Sequence, residues 1–322
     1  MKKQLSIFFL SLFIIAGCSE EQSSSSKETS QQEQKITLTQ ADLLGLKLEE
    51  EVWQDPKSYD SPRIQFVWDD SPSGLETKHQ MEIWSAKPDF SDLKIRVPGN
   101  LIKGIVRDSK PSPDGRYVAM AVDDGERYEK QLYDIKAKQL KVMSFGPVIP
   151  SFEWSQDSKT VYFNEAGNMK KYHVPTNKLE VVTKYEEHGN SFILMDKDTK
   201  FVFTRNKKII IRDVETGKKM YEKEYGSVDH RGLIKYKNGK VFGYQTNEGF
   251  IVANIDSPEK ELIKLDGSVG NLLGFDLKSY NKIWLNFFGF IDFSVGRIQD
   301  VENISKFSKA GGSKNQYEFY NL

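Results

Sequence analysis

Ser112-Pro113-Asp114-Gly115-Arg116-Tyr117-Val118-Ala119-Met120 joins a tight polar turn to a basic residue and then to an apolar run. The phrase returns as Trp154-Ser155-Gln156-Asp157-Ser158-Lys159-Thr160-Val161-Tyr162-Phe163. Weaker copies stand at Asp198-Thr199-Lys200-Phe201-Val202-Phe203, Asn238-Gly239-Lys240-Val241-Phe242 and Tyr280-Asn281-Lys282-Ile283-Trp284-Leu285. The basic residues Arg116, Lys159, Lys200, Lys240 and Lys282 are spaced by 43, 41, 40 and 42 positions. A fixed period in this range marks a chain built from repeated supersecondary units. Pro second and Gly fourth in Ser112-Pro113-Asp114-Gly115 fit a type I turn.

Each repeat reads as four strands. In the unit that begins near Pro150 they are Phe152 to Trp154, Val161 to Asn164, Lys170 to Val174 and Leu179 to Lys184. Pro175-Thr176-Asn177-Lys178, Val214-Glu215-Thr216-Gly217 and Asp256-Ser257-Pro258 supply hairpin turns at equivalent places. The second strands are apolar at consecutive positions, as in Tyr117 to Val122, Phe201 to Phe203 and Ile283 to Leu285. A strand covered on one face alternates, whereas one covered on both reads as a continuous run. Four-stranded units of this length, covered by neighbours on both faces, are propeller blades. Six are expected, at approximately 50–98, 99–144, 145–184, 185–225, 226–265 and 266–308. Seven is the alternative if the N-terminal segment supplies more.

The first blade is read from Arg63 to Asp70, which parallels Arg116 to Asp124, with later strands at Met81 to Trp84 and Leu93 to Val97. The tail Gln316-Tyr317-Glu318-Phe319-Tyr320 is expected to pair with it and remove the open sheet edge. The expected fold is therefore all-β: a six-bladed β-propeller domain spanning 37–322, which opens with a short helix from Thr39 to Glu51. Thr39 is its N-cap, and Ala41, Leu44 and Leu48 share one face.

Trp-Ser-Pro-Asp-Gly-Lys before an apolar triplet is the repeat of TolB-like propellers and of the propeller domains of prolyl-oligopeptidase-type enzymes. The chain resembles them over roughly residues 55–306. Residues 154–163 keep Trp154, Ser155, Asp157 and Lys159 but carry Gln156 and Ser158 for Pro and Gly. Residues 112–120 keep all but the Trp, which Pro111 replaces. The resemblance implies the fold, with WD-like blades. It implies no activity, because propellers host many unrelated ones.

Met1-Lys2-Lys3 followed by the apolar run Leu5 to Ile15 has the form of a signal peptide over 1–17. The run is too short to span a bilayer, which takes about 20 residues. It ends in Ile15-Ala16-Gly17-Cys18, which resembles the lipobox of bacterial lipoproteins. That resemblance implies acylation of Cys18, the only cysteine in the chain, and anchoring by two or three acyl chains. It places the protein in the cell envelope. With Ser19 after the cysteine this would be the outer membrane of a Gram-negative cell, or the outer leaflet of a Gram-positive plasma membrane. Residues 18–36 read as a lipidated cysteine and a Ser, Gln and Glu linker, too polar to fold and reaching about 20–25 Å.

The remaining composition excludes several classes. Net charge is zero, so no nucleic-acid footprint is indicated. One cysteine rules out an internal disulfide framework or a multi-thiolate zinc site. His79, His173, His188 and His230 show no metal-ligand spacing, and no Gly-x-Ser-x-Gly elbow or glycine-rich phosphate loop is present. Ser227, Asp229 and His230 are adjacent, which is not triad geometry. No catalytic, cofactor or metal set is assigned.

In a propeller, the loops entering the innermost strands and those joining strands two and three share one rim. Here that rim carries Gly99-Asn100, His188-Gly189-Asn190, Asp229-His230-Arg231, Gly270-Asn271, Asp69-Asp70, Asp123-Asp124-Gly125-Glu126-Arg127 and Asn164-Glu165. Asp69, Asp70, Asp123, Asp124, Glu126, His188, Asn190, Asp229, His230 and Arg231 are the candidate binding residues. Loops on a rigid scaffold are where binding usually resides, although Asp, Asn and Gly also favour plain turns. The leading expectation is a non-enzymatic envelope scaffold that binds a protein or a small ligand there. Two alternatives stay open: a hydrolase or lyase on glycans or lactones with acidic rim residues around a metal, and a structural spacer. Phe287-Phe288-Gly289-Phe290 reads as a turn between two core strands.

Overall fold

The computed structural model describes residues 46–58, 63–67, 80–87, 91–184, 191–205, 207–228, 233–235 and 239–265. It also describes Asp42 and the strands within 272–275, 282–285, 289–292, 297–300 and 316–320. The chain opens with β1 (Glu49–Glu50), β2 (Arg63–Val67), β3 (Ile83–Ala86) and β4 (Lys94–Val97). Next come β5 (Ile105–Pro111), β6 (Tyr117–Asp123), β7 (Tyr128–Asp134) and β8 (Gln139–Gly146). β9 (Phe152–Trp154), β10 (Thr160–Glu165), β11 (Asn168–His173) and β12 (Lys178–Lys184) follow, then β13 (Ser191–Met195), β14 (Lys200–Arg205), β15 (Lys208–Asp213) and β16 (Lys219–Glu224). The last are β17 (Ile234–Lys235), β18 (Val241–Thr246), β19 (Gly249–Asn254), β20 (Ser257–Leu265), β21 (Leu272–Phe275), β22 (Lys282–Leu285), β23 (Gly289–Asp292), β24 (Arg297–Asp300) and β25 (Gln316–Tyr320).

The described strands form six sheets, five of them four-stranded antiparallel meanders in sequence order. The sixth runs β1-β4-β3-β2-β25. β25 pairs antiparallel with β2, from Arg63 opposite Tyr320 to Val67 opposite Gln316, as the tail was expected to do. The first strands of successive sheets touch in turn, β5 to β9, β9 to β13, β13 to β17 and β17 to β21, and β25 meets both β21 and β5. The sheets therefore close into a ring.

The continuous apolar runs are explained by this stacking. In β6, Val118, Met120 and Val122 pack with Val67, Met81, Ile83 and Val97 of the sheet before. Ala119 and Ala121 pack with Phe152, Trp154, Val161 and Phe163 of the sheet after. Alanines occupy the side that faces large aromatics, which keeps the interior filled on both faces. In β14, Val202 faces one sheet and Phe201 and Phe203 the other. Burying such a side chain contributes about 1.5–3 kcal/mol, more than any single turn hydrogen bond, so the strands rather than the turns fix the fold.

The repeated turns stitch neighbouring sheets together. Gly115 closes the first with φ +68° and donates its N–H to Ser112 O at 2.8 Å. Asp114 N–H donates to Ser158 Oγ (3.0 Å), Gln156 N–H to Asp198 Oδ2 (2.9 Å), and Asp196 N–H to Gly239 O (2.7 Å). Each bond runs from one sheet's turn to the next. Ser158 occupies the position of Gly115 and keeps the left-handed φ, +59°, despite its Cβ. Ser158→Ala is therefore expected to lower stability by about 1 kcal/mol, through the lost inter-sheet bond alone. Ser158→Gly is expected to cost less, because relief of the left-handed strain offsets that loss. Urea titration of the two variants would separate them, and equal losses would count against this role.

Two expectations need correction. Residues 46–51 are not helical: Glu49–Glu50 form β1, which pairs in parallel with β4, and Glu51 N–H donates to Ile95 O at 2.7 Å. The buried Glu51 side chain explains why, since Arg96 and Ser85 hold its carboxylate inside the first sheet. Of the expected helix only Asp42 is described as helical; its other residues up to 45 lie outside the described ones. The third strand of the first sheet begins at Ile83 rather than Met81. Met81 instead turns into the core, where its sulfur accepts Val106 N–H.

Candidate functional site

The two ends of the ring differ. One end carries the repeated turns β5–β6, β9–β10 and β13–β14 with the stitches described above. The opposite end carries the entries to the first strands and the β6–β7 and β10–β11 turns. Gly99–Leu101, a 3-10 turn, leads into β5 there, with Gly99 buried and Asn100 exposed.

The β6–β7 turn brings together Asp123, Asp124 and Glu126. Asp123 accepts the Arg107 guanidinium through Nε (3.0 Å) and Nη2 (2.8 Å) and also takes Gly125 N–H at 3.0 Å. Asp124 accepts the backbone N–H of Glu126 and of Arg127, each at 2.9 Å. Those two backbone donors, ahead of the nearby Arg127 charge, hold its carboxyl below the usual aspartate value. Arg127 lies over the Phe145 ring at 4.0 Å. Two of the three acids are thus committed to shaping the turn, and Glu126 is the one that projects from its exposed tip.

Asn164 and Glu165 do not behave as open rim residues. Asn164 accepts Ser151 N–H at 2.7 Å. Glu165 is buried between Lys130, at 2.9 Å, and Lys170. Burial acts first and would raise its carboxyl, but the two lysines outweigh it and hold the group ionised. Cys18, Asp69, Asp70, His188, Asn190, Asp229, His230 and Arg231 lie outside the described residues, as do Phe287 and Phe288, while Gly289 and Phe290 open β23. Among the described residues no group of three or more His, Cys, Asp or Glu is placed to hold a metal.

A charged cluster inside the ring escaped the sequence reading. Glu153 on β9 is buried and meets Lys110 Nζ from β5 at 3.1 Å and Lys235 Nζ from β17 at 3.2 Å. Burial alone would raise the Glu153 carboxyl; the charges of Lys110 and Lys235 reverse this and hold it low. Asp198 lies in the field of Lys235 and Glu153, and burial pushes its carboxyl up despite the Gln156 N–H it accepts. The cluster ties first strands from three sheets across the interior. With both carboxylate oxygens of Glu153 engaged by lysines, its arrangement suits a tie. A signal was available only in β9, where Glu153 stands between Phe152 and Trp154; Lys110 shares β5 with the charged Arg107 and Asp108 and does not stand out.

No family model and no curated protein matches the sequence. Solved structures do. TolB from Acinetobacter baumannii superposes with a TM-score of 0.54 at 13% identity, over 80% of this chain and 66% of that one. The chain thus spans just under two thirds of TolB's length. A structure of a nidogen/laminin complex matches with a TM-score of 0.55 at 8% identity, over 74% of this chain and 92% of that one. The fold is a β-propeller. At such identities the likeness is one of architecture, and the propeller's role rests on its own residues.

Proposed function

We propose that this protein is a lipid-anchored envelope lipoprotein whose propeller, with the six sheets as its full set of blades, is a non-catalytic scaffold. It binds a protein or a small ligand through the loop rim. The observation that carries this reading is the difference between the ends. The repeated turns spend their backbone donors on neighbouring blades, whereas the β6–β7 turn is rigidly shaped yet leaves Glu126 exposed. A fixed frame with a polar tip is the arrangement in which loops bind. The lipobox-like Ile15-Ala16-Gly17-Cys18 supports the anchor, since two or more acyl chains hold a protein to a bilayer stably.

The test uses the full chain in its source cell. Cys18→Ala is expected to shift the protein from the membrane fraction to the soluble one. A photo-crosslinking residue at Glu126 is expected to give a discrete adduct that the same residue at Ala137, on the opposite end, does not. Identical patterns from the two positions, or no adduct at either, would refute rim binding.

A further inference from the structure

We propose that Asp198, in the β13–β14 turn, is a proton-operated latch between the third and fourth blades, which holds weakly when ionised and firmly when protonated. Asp196, Lys197 and Asp198 all have left-handed backbone, with φ of +51°, +54° and +67°, and none is glycine. Residues held this way persist only where their surroundings fix them. Asp196 has such contacts: its N–H donates to Gly239 O, and its carboxylate engages Lys200 and Lys240. Asp198 has fewer. Its Oδ2 accepts Gln156 N–H of the third blade at 2.9 Å. Its Oδ1 is buried and meets no hydrogen-bond donor among the described residues.

An ionised carboxylate only accepts hydrogen bonds, and burying one of its oxygens without a donor is costly. The charged groups facing Asp198 do not offset that cost. Glu153 of β9 and Asp157 of the β9–β10 turn are themselves acids and act on it by repulsion. Lys235 of β17 attracts it, but the Lys235 ammonium is engaged by Glu153 Oε2 at 3.2 Å. Lys159 lies beside Asp157 at 3.6 Å, and Lys200 and Lys240 are shared by Asp196 and Asp256. Lys197, between the two aspartates, is exposed. The Asp198 charge is felt across the seam. Tyr162 of β10 stands edge-on to Phe201 of β14, and burial, followed by the charges of Asp198 and Asp157, pushes its phenol up.

Proton uptake relieves this arrangement. The Gln156 N–H keeps its acceptor, while the repulsion from Glu153 and Asp157 ends. Burial raises the Asp198 carboxyl above the ordinary aspartate value of 3.8; Gln156 N–H and Lys235 oppose this, and Asp157 and Glu153 add to it. A raised carboxyl contributes stability that is complete below its unfolded pKa and is lost as pH rises through the folded one. The latch therefore tightens as pH falls from neutrality toward about 4. The Glu153 tie responds in the opposite sense, because its carboxyl is held low.

The test compares the full chain in detergent with its Asp198→Asn variant by urea titration from pH 7 to pH 4. Asparagine keeps the acceptor for Gln156 N–H, tolerates left-handed backbone and imitates the protonated acid. We expect Asp198→Asn to raise the folding constant at least about threefold at pH 7, with the gain shrinking steadily toward pH 4. In a Glu153→Gln background the gain should be smaller, since one repelling charge is gone and Lys235 is freed. Carbon-13 titration of the side-chain carboxyls, with Asp198→Asn giving the assignment, should place the Asp198 midpoint above 3.8. The proposal is overturned if Asp198→Asn destabilises the protein at pH 7, or if its gain is the same at every pH. It is equally overturned if removing Glu153 leaves the gain unchanged, or if the Asp198 carboxyl titrates at or below 3.8.

Discussion

Arg96→Met is expected to destabilise the protein by about 3–5 kcal/mol, the range for removing one partner of a buried ion pair. Arg96 is fully buried and donates in three directions: to Glu51 Oε1 (2.9 Å), Gln65 Oε1 (2.8 Å) and Gly115 O (2.7 Å). Without it the buried Glu51 carboxylate loses its counter-charge, and two further acceptors lose a donor. Ser85 Oγ still donates to Glu51, but a neutral hydroxyl does not balance an ion. Arg96→Lys should recover only part of the loss, because an ammonium lacks the planar fork that reaches all three acceptors. Glu51→Leu combined with Arg96→Met should be less damaging than the sum of the two changes, since an apolar pair leaves no orphan charge. Urea midpoints at constant slope would measure these differences. A loss below about 1 kcal/mol for Arg96→Met would mean that the carboxylate finds water or protonates, and that the first two blades do not depend on the pair.

Glu153→Gln is the second large effect, near the lower end of the same 3–5 kcal/mol range at neutral pH. It falls at the lower end because the Lys110 and Lys235 side chains stay 27% and 29% exposed and can rehydrate. The change should also alter the acid limb of stability. Burial would raise the Glu153 carboxyl, but the two lysines hold it below the ordinary glutamate value of 4.5. A depressed carboxyl contributes stability that is complete above its unfolded pKa and is lost as pH falls through the folded one. Glutamine mimics the protonated group. The gap between wild type and Glu153→Gln should therefore be full at pH 7 and shrink progressively below about pH 4. Denaturant titrations from pH 7 to pH 3 measure it, and a constant gap would dissociate the tie from the ionised carboxylate.

Much of the architecture was legible because it is local and periodic. The recurring basic residue, the turn before it and the five consecutive buried positions Val118 to Val122 follow from stacking repeats. The alternation of those positions between two clusters was implicit in the small Ala119 and Ala121. The charged ties were not legible, because their partners are far apart in sequence. Glu153 and Lys235 are separated by 82 positions and Glu51 and Arg96 by 45. The same blindness misled the reading of 46–51, where a helical pattern yields to a pairing with β4 that only the folded ring supplies. At the rim, Asp123 and Asp124 were recognisable as turn residues, but the Arg107 that neutralises Asp123 lies on the neighbouring β5 and gives no local sign.

The position of β25 in the first sheet has a temporal side. Synthesis delivers β2, β3 and β4 early and β25 long afterwards, with five other sheets' worth of chain between them. Until residues 316–320 emerge, β2 has no inner neighbour and the circle stands open. A chain cut short before that point is born with an unsatisfied backbone row. Closure of the ring thus waits on the pairing of β25 with β2, however early the other sheets form.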